Sequence, residues 1–288
     1  MTSVTPSTGA AAPSRTRPLT IIRPHAGWLG IGFGDVWRYR DLLAVLARRE
    51  ITLRYRQTFL GVIWVVLQPL IAAVIFSFVF GRIAGLPSDG VPYFVFSFAG
   101  FLGWTAFQGT LLRVSGTLVQ NSQLVSKVYF PRLVLPLSAL GLTALDFLVG
   151  AALLVVILPL YHVRPTLALL TLPFWFAALA LLALGIGLYF AALVVRYRDV
   201  QHALPIFLQF ALYATPIAFA TSAVPASLAP FVRLNPLVGV LEGFRWAIVG
   251  TRFPRAGDVL YSLAFVVVAL LAGVLAFRRL EREFADVV

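Results

Sequence analysis

Residues 167–195 read LALLTLPFWFAALALLALGIGLYFAALVV, twenty-nine in a row without a charged side chain. A helix needs about 20 predominantly apolar residues to cross a hydrocarbon layer, so this stretch is long enough to span a membrane by itself. Similar apolar runs lie at 62–82, 93–112, 133–161, 200–220 and 259–277. The spacing predicts an all-α membrane protein with six transmembrane helices.

Composition agrees. The chain is 60% hydrophobic and 12% charged, with mean hydropathy +0.92, whereas soluble domains carry about 25% charged residues. The net charge of +12 rests on 22 Arg and a single lysine, Lys127. These cations cluster between the apolar runs rather than along one soluble face, which favours membrane orientation over nucleic-acid binding. The absence of cysteine excludes disulfides and thiolate metal sites.

Residues 1–34, with Pro13, Arg15, Arg17, Pro18, Arg23 and Pro24, lack an apolar segment and are expected to form a disordered cytoplasmic tail rather than a cleavable signal. Residues 35–288 then form the transmembrane domain. Six spans place both termini on one side. That side collects the nine arginines before the first span, then Arg113, Lys127, Arg132, Arg196, Arg198, Arg278, Arg279 and Arg282, seventeen cations in all. The other side holds six: Arg82, Arg164, Arg233, Arg245, Arg252 and Arg255. The excess of cations in cytoplasmic loops puts both termini in the cytoplasm.

Three segments outside the spans have helical character. Residues 35–58 interleave Val36, Leu42, Leu43, Val45, Leu46 and Ile51 with six arginines; this suits either a helix in the membrane interface, reaching anionic headgroups, or a solvated charged helix. Residues 115–130 are too polar for lipid, yet Leu118, Val125 and Val128 recur at roughly helical spacing. They predict a short amphipathic cytoplasmic helix halted by Pro131, with an ordinary loop as the alternative. In the long external segment, Asn235 as N-cap, Pro236 at the first helical position and Gly250 as stop define a helix over 237–249. Its Leu237, Val240, Leu241, Phe244 and Ile248 share a face, and Glu242 and Arg245 stand three apart, positioned to pair. With Pro225 opening a shorter piece, the segment reads as a re-entrant helical hairpin in the outer leaflet, able to cap a pore.

The chemistry the chain lacks is informative. No G-x-x-x-x-G-K-[ST] phosphate loop exists, because Lys127 has no neighbouring glycines. The chain cannot be its own ATPase. His25, His162 and His202 are scattered, with no carboxylate pair beside them, so neither a metal site nor a glycosyltransferase centre is expected.

Among intramembrane polar residues, Asp146 sits near the middle of the third span, where an ionised carboxylate costs at least ~2.5 kcal/mol. No Arg or Lys is expected at its depth, which leaves hydroxyls such as Thr143 or a tyrosine of a neighbouring helix as partners. In the fifth span His202, Gln209, Tyr213 and Pro216 fall within about 60° of one face, and Trp64 and Gln68 precede Pro69 in the first. Either face suits the lining of a conduit for sugar rings, or the joining of helices. Tyr93, Phe94, Phe96, Phe98, Phe101 and Trp104 suit an interfacial belt and packing in the second span.

Four stretches taken together resemble the permease subunits of polysaccharide exporters in the ATP-binding-cassette superfamily (ABC-2 type), which handle O-antigen, capsule or teichoic acid. They are Arg49-Glu-Ile-Thr-Leu-Arg-Tyr-Arg-Gln-Thr-Phe-Leu-Gly-Val-Ile-Trp64 with Gln68-Pro-Leu70; Asn121, Leu124, Lys127, Phe130-Pro-Arg132 and Leu135-Pro136; Arg196-Tyr-Arg-Asp-Val200 with Thr215-Pro-Ile217; and Asn235-Pro-Leu237 with Arg245. The resemblance runs from about Asp35 to the C-terminus, and only the long N-terminal tail is extra.

The resemblance implies that Gln120, Asn121, Leu124, Lys127 and Phe130 belong to a coupling helix docking on a separate ATPase, and that Asn235, Pro236, Glu242 and Arg245 belong to an outer gate. It further implies a homodimer with two ATPase copies in the cell inner membrane, the lipid-linked glycan passing between the permeases. ATP and Mg would be bound by the partner subunit, with no cofactor in this chain. An exporter of a drug or small lipid is the nearest alternative, predicting toxin sensitivity rather than a glycan defect on loss of the gene. A membrane-embedded glycosyl or acyl transferase would need a carboxylate or histidine cluster at a membrane face, and the sequence offers none.

Overall fold

The computed structural model describes residues 33–56 and 61–281, and every regular element among them is helical. The expected tail lies outside the described residues apart from positions 33 and 34, as do 57–60 in the lead-in to the first span and Arg282.

The segment ahead of the first span forms two helices instead of one: α1 (Phe33–Arg38) and α2 (Arg40–Arg56), with a turn at Tyr39. α2 buries Leu46 and packs along α6 (Val134–Ala152), leaving Val45 and Leu53 exposed beside its arginines; Trp37 of α1 is exposed as well.

The first span is α3 (Gly61–Phe76), which continues as a π-helix over Ser77–Ile83. Pro69 lies inside it and is buried. The second is α4 (Tyr93–Gln120), which starts after Pro92 and runs eight residues past the expected end at 112. At about 1.5 Å per residue its 28 residues reach about 42 Å, more than the ~30 Å of hydrocarbon. Nineteen of the 28 are buried, Ser115 and Thr117 among them. Residues 115–118 read as too polar for lipid, but their neighbours are protein. The amphipathic helix expected over 115–130 is accordingly corrected to α5 (Ser122–Lys127), which ends before Pro131.

The third span divides into α6 (Val134–Ala152) and α7 (Leu154–Leu160). A 3₁₀ turn over Leu167–Thr171 leads into α8 (Leu172–Arg196). α4 and α8 pack along each other at the centre, with α6, α3 and α11 against α4 and α12 (Ala256–Glu281) against α8. The α8–α12 contact is backbone to backbone: a Cβ on Gly273 would stand 2.0 Å from the carbonyl oxygen of Gly185.

The fifth expected span is the largest departure. α9 (Val200–Ala214) has 15 residues, about 22 Å of helix, and stops six short of the expected end. Pro216 disfavours helical geometry at the residue before it, and Thr215 is extended (φ −105°, ψ 141°). Pro216 therefore lies outside the helix and shares no helical face with His202, Gln209 and Tyr213. Among the described residues, five helices are long and apolar enough to cross a membrane: those over Ile63–Ile83, Tyr93–Gln120, Val134–Leu160, Leu167–Arg196 and Ala256–Leu280.

The segment read as external holds α10 (Ala229–Arg233) and α11 (Leu237–Val249). α11 has the expected bounds; Pro236 rather than Asn235 stands at its N-cap position, yet Asn235 Oδ1 accepts the Leu237 N–H at 3.0 Å. Gly250 closes the helix in the left-handed region (φ 68°) that glycine tolerates. Not one face but almost the whole of α11 is buried, wedged against α4, α8 and α12.

Candidate functional site

At the α4–α5 junction, Gln120 and Lys127 are exposed, Asn121 and Leu124 are half-buried, and Phe130 is buried in the apolar cluster around Leu46, Leu118 and Leu135. Phe130 thus anchors the loop, while Gln120 and Lys127 face outward. Asn121 connects two elements: its Nδ2 donates to Thr117 O at 2.9 Å, and its Oδ1 accepts from Arg49 Nη1 of α2 at 3.3 Å.

The surroundings of Asp146 correct the expectation that it has no cationic neighbour. Because α4 runs on to Gln120, Arg113 belongs to a helix and not to a loop. Its Nη2 donates to Asp146 Oδ2 at 2.5 Å and its Nη1 to Thr143 Oγ1 at 2.8 Å. From α2, the Tyr55 hydroxyl donates to Asp146 Oδ1 at 2.8 Å, and Arg54 Nη1 lies 3.3 Å from Oδ2. The tyrosine expected from a neighbouring helix is present; Thr143 serves Arg113 instead. One turn earlier in α2, Glu50 accepts from Ser138 Oγ of α6 at 3.2 Å.

Burial shifts Glu50 and Tyr55 of α2. It pushes the Glu50 carboxyl up, against the Ser138 hydrogen bond and the charges of Arg113 and Arg49. Burial, with the adjacent Asp146 carboxylate, raises Tyr55 to about 12, so its phenol stays a donor at neutral pH. Two arginines share one carboxylate here, and α2, α4 and α6 are fastened by charge-assisted bonds where lipid would otherwise meet the ions.

The four residues offered for a conduit, Trp64, Gln68, Gln209 and Tyr213, are all exposed. α3 and α9 are poorly covered helices: α9 buries only Leu204 and Leu208. The rings of Phe76 in α3 and Tyr213 in α9 lie 6.5 Å apart and nearly parallel, which places these helices side by side at that level. Trp64 and Gln68 of α3 and Gln209 of α9 are exposed on the uncovered sides of these helices.

At the other end of the molecule, Arg245 and Glu242 pair as their spacing implied, at 2.8 Å. Arg245 is 1% exposed. Its Nη2 donates to Pro216 O (2.7 Å) and Ile217 O (3.3 Å), and its guanidinium carbon stands 3.8 Å from the centroid of the Phe96 ring in α4. Asn235 Nδ2 donates to Thr215 Oγ1 at 3.0 Å, and Tyr93 donates to Ala218 O. Pro236 is the N-terminal boundary of α11. Sequence reasoning paired Glu242 with Arg245 but missed the Pro216 and Ile217 carbonyls that Arg245 meets and the Thr215 hydroxyl that Asn235 meets, which follow from the Thr215-Pro216 break.

Comparison with known proteins gives these helices a context. The O-antigen export system permease protein RfbA of Klebsiella pneumoniae is 27% identical over 255 residues, covering 86% of this chain and 95% of that protein. The protein of the same name from Myxococcus xanthus is 28% identical over 254 residues, with 88% and 97% covered. The polysialic acid transport protein KpsM of Escherichia coli is 26% identical over 238 residues, with 81% and 91% covered. The profile described as ABC-2 type transporter matches residues 41–249, which run from α2 to the end of α11 and so hold the Asp146 cluster, the α4–α5 junction and the Arg245 contacts, and the chain belongs to that family.

Proposed function

We propose that this chain is the permease of an exporter that carries a lipid-linked polysaccharide across the bacterial cytoplasmic membrane, as a homodimer joined to two copies of a separate ATPase subunit. The observation that carries this reading is the near end-to-end similarity to O-antigen and polysialic acid permeases, which leaves no large part of the chain over for another activity. Two features of the fold support it. α3 and α9 keep aromatic and amide side chains exposed, as a surface meeting a second copy and a glycan requires. The α4–α5 junction offers exposed Gln120 and Lys127 on a base anchored by Phe130, as docking to a partner requires.

In this reading α9 is the remaining crossing, its helix continued by the turns and bends of residues 215–220, so that six passages return both termini to the cytoplasm. Hydrolysis by the ATPase displaces α5, the displacement passes to α3 and α9, and a conduit opens for the glycan. α11 and the segment before it form the outer gate. The test is deletion of the gene, with surface glycan and lipid-linked intermediates measured, together with ATP hydrolysis by the permease reconstituted with its ATPase. Loss of surface glycan, accumulation of the intermediate and glycan-stimulated hydrolysis are expected. Intact surface glycan combined with new sensitivity to toxins would point instead to export of a drug or small lipid.

A further inference from the structure

The chain leaves helical geometry after Ala214, yet Thr215, Pro216, Ile217 and Ala218 are all buried. Carbonyl oxygens beyond a helix end need donors, and a buried one left unpaired keeps its full desolvation penalty. Here side chains from two other helices supply them in succession. Arg245 of α11 donates to the carbonyls of Pro216 and Ile217, and Tyr93 of α4 to that of Ala218. Asn235, just ahead of α11, donates to the hydroxyl of Thr215. The guanidinium is held in turn by Glu242 and by the face of Phe96. Its planar fork reaches two successive carbonyls and the carboxylate at once, which a lysine ammonium on a flexible stem does not reproduce.

The rest of α9 has little to hold it, since only Leu204 and Leu208 along its length are buried. We propose that Arg245 is the positioning residue that fastens the outer end of α9 to α11, so that the gate helix and the conduit helix move as one body. This rests on the export reading above for its consequence, though not for its geometry. The outer gate then has no hinge of its own between residues 215 and 237; it opens only when α9 is displaced.

The test uses the full permease with its ATPase in nanodiscs. Backbone amide exchange is followed in wild type, Arg245→Lys, Arg245→Met and Asn235→Ala. Exchange over residues 211–220 is expected to rise about tenfold in Arg245→Lys, the loss of one or two charge-assisted hydrogen bonds, with α4 and α8 as protected as before. Asn235→Ala should loosen the same segment less. If Arg245→Met fails to fold, Arg245→Lys and Asn235→Ala still decide the matter. In vesicles supplied with lipid-linked glycan extracted from permease-depleted cells, glycan moved per ATP hydrolysed should fall several-fold in Arg245→Lys. Unchanged exchange over 211–220 in both Arg245 variants overturns the latch. Faster exchange with an unchanged transport-to-hydrolysis ratio overturns its positioning role. Were the wild type itself to move no glycan, the export reading would fall while the exchange data still decided the latch.

Discussion

Arg113 of α4 donates to the carboxylate of Asp146 in α6 at 2.5 Å, while Tyr55 of α2 holds the other carboxylate oxygen at 2.8 Å. Three helices thus converge on one anion. Removing the carboxylate takes away the anion that Arg113 donates to and leaves its charge opposed by that of Arg54. Breaking a fully buried pair costs about 3–5 kcal/mol; with Arg113 23% and Asp146 16% exposed, Asp146→Ala should cost roughly 2 kcal/mol. Thermal unfolding in detergent would register this as a clear drop in midpoint. The double variant Arg113→Met, Asp146→Leu should recover much of it, and an equal loss in the double variant would refute the pairing as the source.

The α8–α12 contact tolerates no side chain at its crossing. A Cβ on Gly273 would lie 2.0 Å from Gly185 O, and one on Gly185 would lie 2.5 Å from the backbone nitrogen of Leu270. Gly273→Ala should therefore push the two spans apart at a cost of about 1–3 kcal/mol, the usual range for overpacking. Gly257, near the start of the same helix, has open space around its Cβ position. Gly257→Ala should be neutral or stabilising, gaining up to about 1 kcal/mol of helix propensity. Unfolding midpoints of the two variants, measured side by side, check the contrast.

Local signals were readable from the sequence; signals that depend on neighbours were not. The Asn235 cap, the Gly250 stop and the Glu242–Arg245 pair are set by residues a turn apart, and the fold contains all three. The end of α4 was misplaced because Ser115, Thr117 and Gln120 signal an aqueous loop only if nothing covers them, and Ser115 and Thr117 are covered by protein. Yet Leu111, Val114 and Leu118 continue the helical period past Arg113, the one cue that could have placed this arginine beside Asp146. The early end of α9 was likewise written in Thr215-Pro216, but hydropathy alone carries the run on to Ala220. Burial of Phe130, and the exposure of α3 and α9, are properties of the packed chain that no single segment discloses.

Lys127 ends α5 with its side chain exposed, and Asn121 at the helix start is bound to Arg49 of α2. On the proposed docking to the ATPase, Lys127 makes a peripheral charge contact. Lys127→Glu should weaken association with the ATPase about tenfold, chiefly by slowing encounter, and more so at low salt. The fold should be unaffected, since an exposed substitution usually stays within about 0.5 kcal/mol. Arg49→Ala acts differently: association should persist, but glycan-stimulated hydrolysis should drop because α5 loses its bond to α2. Copurification and ATPase assays of both variants separate the two effects.

Trp64, Gln68, Gln209 and Tyr213 lie on the least covered helices, with Trp64 54% and Tyr213 59% exposed. A residue that merely joined helices within one chain would be buried, so their substitution should leave the monomer fold nearly intact, within about 0.5 kcal/mol. If they line the path, removing an aromatic platform costs about 0.5–1.5 kcal/mol of sugar stacking, a several-fold loss of glycan affinity. Gln209→Leu should go further, because it presents an apolar group to hydroxyls that have shed water. The expected pattern is therefore unchanged thermal unfolding, near-normal basal hydrolysis by the complex, and reduced surface glycan that worsens from Tyr213→Ala to Gln209→Leu. Full glycan display in the Trp64→Ala, Tyr213→Ala double variant would remove these faces from the conduit. Loss of the dimer in that same variant, read by cross-linking, would assign them to the contact between copies instead.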